Sequence, residues 1–457
     1  MPSPNRRAPS TPEDAAKAVG RLRKTVVAGK ASSKDYLDLA NAEALLGRPD
    51  EGAKVLREGV DKCPEDAILP AQLALMFARA GRADLAPNAF AVALQRKDLD
   101  WIRRQAAFYE TQLGGLANAD RLLGSLIAEN PEDTETLFVR ALLRFAQGRY
   151  GDAWTDYRAR WRVEGFFSPP KETKRPAWDG GTAERLLVWR EQGIGDEIQF
   201  LRFLPHLKEH TTKVLYECDP RLAGLLKRSF PDIETRPIMN GELLPNAVED
   251  SDFDCQVPLG DIGDLLGGVG FGSAEPYFVA DAGVTSQLRQ QFEGSFGSKK
   301  LIGLAWFSKN AEHGAGRSIP LESLLPVLSC GEYEFVSVQY GDVSGVLETF
   351  RKETGQVIRG FSGIDLFNQV DHSAAVLSAL DGLITIDNTS AHLAGALGVP
   401  TALLLPKAVD WRWQCPTDAG DGCIYASHRL FRQTKQGNWD RPVAELTASM
   451  EDLFHRA

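Results

Sequence analysis

The stretch Leu383-Ile384-Thr385-Ile386-Asp387-Asn388-Thr389-Ser390-Ala391-His392-Leu393-Ala394-Gly395 decides the fold, together with its exit through Gly398-Val399-Pro400 into Ala402-Leu403-Leu404-Leu405. It reads as an apolar strand, a polar turn, a short helix and a second apolar strand. That is the unit of a parallel α/β sheet, where ligands bind outside the carboxyl ends of the strands. Unpaired N–H groups at a helix start favour an anion, typically a phosphate. Thr389 or Ser390 is placed to cap the helix, and His392 brings a further donor to its first turn. The same residues equally suit an ordinary capped helix with His392 packed inside.

A second polar turn lies upstream. From Arg185 the chain alternates strands and helices, the pattern of a parallel sheet. Leu186-Leu187-Val188-Trp189 is a strand. Glu191-Gln192-Gly193-Ile194-Gly195-Asp196-Glu197 follows, then a helix through Phe200, Leu201, Phe203, Leu204 and Leu207. Gly193 and Gly195 form the loop. A dinucleotide fingerprint fails, because its third glycine falls on Ile198, and Glu217, about 20 residues on, is weak as a ribose ligand by itself. A nicotinamide-dependent enzyme is therefore not supported. Asp196 at the helix start is stabilised as a carboxylate by the macrodipole. At a sheet's carboxyl edge it can serve as a general base, or it can simply cap the helix.

Leu301-Ile302-Gly303-Leu304-Ala305-Trp306 opens a second α/β lobe. The loop after it carries Lys309 and Arg317, cations suited to a diphosphate or merely solvated. Trp411-Arg412-Trp413 could wall a pocket or pack the lobe. Asp252-Phe253-Asp254 has the form of a cation-binding pair, but no other ligands cluster beside it and no metal is expected.

The N-terminal third is helical and periodic. Gly47, Gly81, Gly114 and Gly148 recur at spacings of 34, 33 and 34 residues. Seven residues before each stands Ala40, Ala74, Ala107 or Ala141; five after stands Gly52, Ala86, Ala119 or Ala153. The period and positions resemble the tetratricopeptide repeat, with glycine in the turn of a helix pair. Stacked repeats commonly hold a peptide or protein on a concave face, or act as a spacer. Tyr157 to Phe167 reads as a capping helix.

A chain of 457 residues suggests about three domains. A net charge of −10 argues against a general nucleic-acid binder. No apolar run reaches the roughly 18 residues that a membrane span needs. Met1 to Glu13 has no apolar h-region, so no signal peptide is expected. The six cysteines are scattered and none forms a Cys-x-x-Cys pair, which points to free thiols in a reducing cytosol.

Gly193-Ile194-Gly195-Asp196 resembles the Gly-Asp turn of heptosyltransferase-like enzymes. Asp387-Asn388-Thr389-Ser390-Ala391-His392-Leu393 resembles their Asp-Thr-x-x-x-His-Leu donor motif, although Asn388 stands where Thr is usual. Gly303-Leu304-Ala305-Trp306, Arg317-Ser318-Ile319-Pro320 and Asp410-Trp411-Arg412-Trp413 add to the likeness, while Trp306-Phe307-Ser308-Lys309 replaces the commoner Trp-Ala-Gly-Asn. Residues 32 to 457 thus resemble bacterial proteins that join tetratricopeptide repeats to a heptosyltransferase-like GT-B glycosyltransferase. The arrangement is similar to that of O-linked N-acetylglucosamine transferases and flagellin glycosyltransferases.

The resemblance implies an α-solenoid followed by two Rossmann-like lobes. Expected bounds are 1–13 unstructured, 14–165 helical repeats, 166–184 linker, 185–292 the acceptor-side lobe and 293–457 the donor-side lobe. It implies an inverting, metal-independent transfer from a nucleotide sugar, without cofactor, in the cytoplasm. Asp196 is the implied base. Trp306, Lys309, Arg317, Asp387, Asn388, Thr389, Ser390 and His392 surround the implied donor. The implied partner is a protein acceptor, flagellin among the options, held by the repeats. A repeat adaptor with inactive lobes is the alternative.

Overall fold

The computed structural model describes residues 11–166, 168–238, 250–271, 275–296, 299–310, 314–360, 364–414 and 424–454. Helices fill its N-terminal third: Pro12–Val27, Ser33–Leu45, Pro49–Lys62, Ile68–Arg79, Ala86–Arg96, Asp100–Leu113, Leu116–Glu129, Thr134–Ala146 and Tyr150–Tyr157. Gly47, Gly81, Gly114 and Gly148 sit in the turns between paired helices, with φ between 72° and 82°. A residue with a Cβ resists that left-handed conformation, which is why glycine ends these helices. The small residues mark where paired helices touch. A Cβ on Gly52 would stand 2.8 Å from the Ala40 carbonyl oxygen, and Ala74, Ala86, Ala107, Ala119, Ala141 and Ala153 are fully buried.

The first helix starts inside the stretch expected to be unstructured. Thr11 caps it by accepting from the Asp14 N–H at 3.2 Å, and Pro12 fits the first helical position, where no N–H is needed. Residues 1–10 lie outside the described residues. The segment expected as a capping helix continues from Tyr157 only as a short 3-10 turn, Arg158–Arg162; Phe167 lies outside the described residues.

Two parallel sheets follow. The first holds β1 (Ala183–Trp189), β2 (Thr211–Cys218), β3 (Glu234–Pro237) and β4 (Cys255–Pro258) in the order β3-β2-β1-β4. The second holds β5 (Lys300–Leu304), β6 (Tyr333–Ser337), β7 (Ile358–Arg359), β8 (Gly382–Ile386), β9 (Thr401–Leu405) and β10 (His428–Arg432), in the order β10-β9-β8-β5-β6-β7. Strand order reverses between β1 and β4 and between β5 and β8, and such reversals open a crevice at the carboxyl edge. β8 and β9 are wholly buried, as their continuous apolar runs require. The connecting helix Ala282–Phe296 crosses the expected lobe boundary at 292. It is fastened to the second lobe by Arg289, 3.0 Å from Asp381.

The helical region is built into both lobes. Phe145, Trp154 and Tyr157 share one core with Ile198, Phe200, Phe203, Phe271 and Trp411. Phe145 stacks on Trp411 with ring centroids 4.6 Å apart. The Trp154 indole N–H donates to the Val269 carbonyl at 2.9 Å. On the other side, Gln414 donates to the Thr111 carbonyl at 2.6 Å and Gln436 donates to the Gly81 carbonyl at 2.8 Å. The expected linker is also tied down: Trp178 N–H donates to Gln256 at 2.8 Å, and Lys171 pairs with Glu217 at 2.7 Å. That pairing commits the acid considered above for a ribose.

Cys63, Cys218, Cys255 and Cys330 are free thiols; Cys415 and Cys423 lie outside the described residues. Among the described residues no helix is long and apolar enough to cross a membrane.

Candidate functional site

A cleft of ≈ 670 Å³ lies where the carboxyl edges of the two sheets meet the helical region. Gly193, Gly195 and Asp196 line it from the first lobe, and Arg317, Asp387, Asn388, Thr389, Ser390 and His392 from the second. Phe108, Phe138, Leu142 and Tyr157 close it from the helical side.

In the first turn the chain leaves β1 through Glu191, whose buried carboxylate is gripped by Arg160 at 2.7 and 2.8 Å. Gln192 then takes a left-handed conformation, φ 61°. The helix Ile194–Phe200 begins beyond it, and Asp196 Oδ2 accepts from the Gly193 N–H at 3.2 Å. The other oxygen of Asp196 pairs with Arg412, which also holds Asp410 at 2.7 Å and Gln199 at 2.6 Å. Burial raises the Asp196 pKa above the ordinary carboxylate value, and the Arg412 charge opposes that rise. A raised pKa suits a carboxylate that must take a proton near neutrality. Glu197 does not line the cleft. It accepts from Tyr216 Oη at 2.8 Å, from the Asp219 N–H at 2.9 Å and from Arg190 at 2.8 Å, a buried structural knot.

In the second turn the cap is Asn388, not Thr389 or Ser390 as the sequence pattern predicts. Its side chain accepts from the Ala391 N–H at 3.1 Å, and the helix runs Thr389–Leu397. Asn offers the same short acceptor as Ser or Thr, one residue earlier, so the pattern cannot separate them. The N–H groups of Thr389 and Ser390 belong to the first turn, which has no helical carbonyl to bond. Arg317 pairs with Asp387 at 3.1 Å. His392 is buried, its ring stacked 5.2 Å from Trp413 and its Nδ1 3.1 Å from Tyr425 Oη. Burial, reinforced by Arg412 and other neighbouring cations, holds its pKa well below the ordinary value, so the ring is neutral at pH 7.

The two turns touch. A Cβ on Gly195 would stand 3.3 Å from His392 Cδ2 and 3.7 Å from Thr389 Oγ1. Two expected donor residues do not line this cleft. Trp306 is buried among Ile302, Leu304, Ile384 and Leu404, and its backbone N–H donates to Gln339 Oε1 at 2.9 Å; an apolar ring at a strand end is drawn into the core beneath the sheet. Lys309 is exposed, its Nζ 5.7 Å from the centre of the Tyr340 ring.

Arg412, Tyr157 and Gln192 complete the site, and none was singled out as a site residue by the sequence. Arg412 stood within the Trp-Arg-Trp motif. Tyr157 begins the segment that the sequence marks as a capping helix, and a left-handed Gln has no sequence mark.

No family model matches the chain. Protein FlbA of Caulobacter vibrioides is 29% identical over 438 residues, which span 91% of this chain and 72% of the relative. Among solved structures, a family 9 glycosyl transferase from Veillonella parvula superposes with a TM-score of 0.45 at 15% identity, covering 62% of this chain and 100% of that one. The E. coli ADP-heptose lps heptosyltransferase II gives 0.44 at 15% identity, covering 60% and 99%. A Thermobaculum terrenum O-GlcNAc transferase mutant gives 0.30 at 11% identity but spans 97% of this chain and 93% of its own. At such scores the likeness decides nothing about chemistry.

Proposed function

We propose that the chain is a metal-independent, inverting glycosyltransferase of GT-B architecture, moving a sugar from a nucleotide-sugar donor to a hydroxyl of a protein acceptor. One observation carries this: two polar βα turns, one from each parallel sheet, line a single cleft, with Asp196 on one and an anion-receptive helix start on the other. Asp196 takes the proton of an acceptor Ser or Thr hydroxyl. The hydroxyl oxygen attacks the anomeric carbon as the bond from that carbon to the phosphate oxygen breaks, and the nucleotide leaves with the bonding pair. The N–H groups of Thr389 and Ser390, the neutral His392 and Arg317 receive the departing charge. Preorganised donors of this kind are often the largest part of catalysis. The helical region acts as the acceptor-binding element, a tetratricopeptide-type solenoid whose apolar residues Phe108, Phe138 and Leu142 reach the cleft.

The test is a thermal-shift screen of wild type and His392→Ala against UDP-, ADP-, GDP- and CMP-sugars in EDTA. A ligand at 100 times its Kd stabilises the folded state by ≈ 2.7 kcal/mol. A shift with one nucleotide family, lost in the variant, supports the proposal. No shift with any donor, with EDTA or with manganese, overturns it.

A further inference from the structure

We propose that Tyr157 and Arg160, in the helical region, are positioning residues that hold the Asp196 turn in its reactive geometry. Among the described residues Gln192 is the one non-glycine with a positive φ. Such a conformation persists only where its surroundings over-determine it. Here they do so from outside the lobe. The Gln192 N–H donates to Ser168 Oγ at 2.6 Å, and its side-chain amide donates to Tyr157 Oη at 2.7 Å. The preceding residue, Glu191, is held by Arg160 through two bonds and by the Gly260 N–H at 2.8 Å. The Arg160 side chain is wholly buried, 2.6 Å from Asp261, and donates to the Tyr157 carbonyl at 3.2 Å. Its guanidinium lies 4.4 Å from the centres of both the Tyr157 and Trp161 rings.

Three residues separate Gln192 from Asp196, and two of them, Gly193 and Gly195, resist backbone rotation least of all residues, so the turn does not hold its own shape. The Gly193 N–H donates to Asp196 Oδ2 at 3.2 Å, so loss of the clamp on Gln192 reaches the Asp196 carboxylate through its next neighbour. The helical region is thus part of the catalytic apparatus as well as a docking surface. The role given to the turn rests on Asp196 being the base proposed above; the clamp itself does not.

The test uses the full chain and Tyr157→Phe, which keeps the ring and removes the acceptor oxygen. Hydrogen–deuterium exchange is read on the peptide spanning residues 190–197. Loss of one hydrogen bond to the turn speeds exchange there ~5-fold, with β8 and β9 unchanged. Unchanged exchange in residues 190–197 overturns the proposal. Gln192→Gly is the second variant, because glycine takes the left-handed conformation without strain. In that background Tyr157→Phe adds nothing further. If it still accelerates exchange, its effect runs by another route and the clamp is refuted.

With the nucleotide sugar found in the thermal-shift screen, Tyr157→Phe lowers kcat ~10-fold at unchanged KM. A raised KM at unchanged kcat makes Tyr157 a substrate contact and overturns the positioning role. A wild type that turns over no donor refutes the glycosyltransferase instead, and leaves the exchange result to decide the clamp.

Discussion

Arg412 of the second lobe and Asp196 of the first form an ion pair across the cleft. The proposed base is therefore oriented by the lobe proposed to bind the donor. Burial raises the Asp196 pKa and Arg412 opposes the rise, so removing the guanidinium raises it further. Ionised Asp196 is then lost at higher pH. In Arg412→Gln the acid limb of the kcat/KM profile is expected to move to higher pH. A limb that stays in place would separate Arg412 from the base. The same change strands the Asp410 carboxylate, and a melting temperature lowered by a loss of about 3 kcal/mol is expected alongside.

Gly195 of the first lobe packs against His392. A methyl group there would sit 3.3 Å from the ring and 3.7 Å from Thr389 Oγ1. Gly195→Ala presses on the proposed phosphate site without opening a cavity. Nucleotide affinity is expected to fall ~10-fold, a cost near 1.4 kcal/mol, while melting without ligand changes little. Titration calorimetry with the nucleotide decides it; equal affinity would show that the helix start and the first turn do not share a ligand.

Stability has a histidine signature. His428 is buried, and its Nε2–H donates to the Ala391 carbonyl oxygen at 3.0 Å. Burial pulls its pKa from 6.5 down to about 4. Between those values the unfolded chain binds a proton that the folded chain does not, so stability falls as pH drops from 6.5 toward 4. The full window is worth about 3 kcal/mol. Asp196 and Glu197, with raised pKa values, act with the opposite sign, so the total curve mixes the two. Chemical denaturation of His428→Gln against wild type at several pH values isolates the histidine part. A difference between the two that does not vary with pH would show that His428 makes no such contribution.

Phe145 joins the helical region to Trp411 and Phe271. Phe145→Ala is expected to cost about 3–5 kcal/mol and to lower one shared melting transition. Two calorimetric transitions, only one of them moved, would mean that helices and lobes unfold separately.

Much of this architecture was legible because it rests on long, one-sided chemistry. Gly382–Ile386 and Thr401–Leu405 are buried on both faces and read as uninterrupted apolar runs. The glycines at 47, 81, 114 and 148 announce the helix turns because a residue with a Cβ resists their φ. The strands that escaped notice are edges. β3 and β10 flank their sheets, and Glu234-Thr235-Arg236-Pro237 and His428-Arg429-Leu430-Phe431-Arg432 carry the charge that edge strands need to avoid pairing with other chains. At the site, the polar turns were legible because each follows a strand. Arg412, Tyr157 and Gln192 were not, because their roles depend on partners 216, 35 and 24 positions away. Trp306 misled for the reverse reason: its place beside a functional loop is clear in sequence, whereas the direction of its ring is not.

The helical region grips the first lobe through Tyr157 and Arg160 and the second through Gln112, Thr111 and Gly81. It works as a splint laid across a hinge. The two jaws cannot gape widely without tearing a row of hydrogen bonds at one end or flexing the splint itself. Any separation of the jaws is therefore tied to bending of the stacked helices.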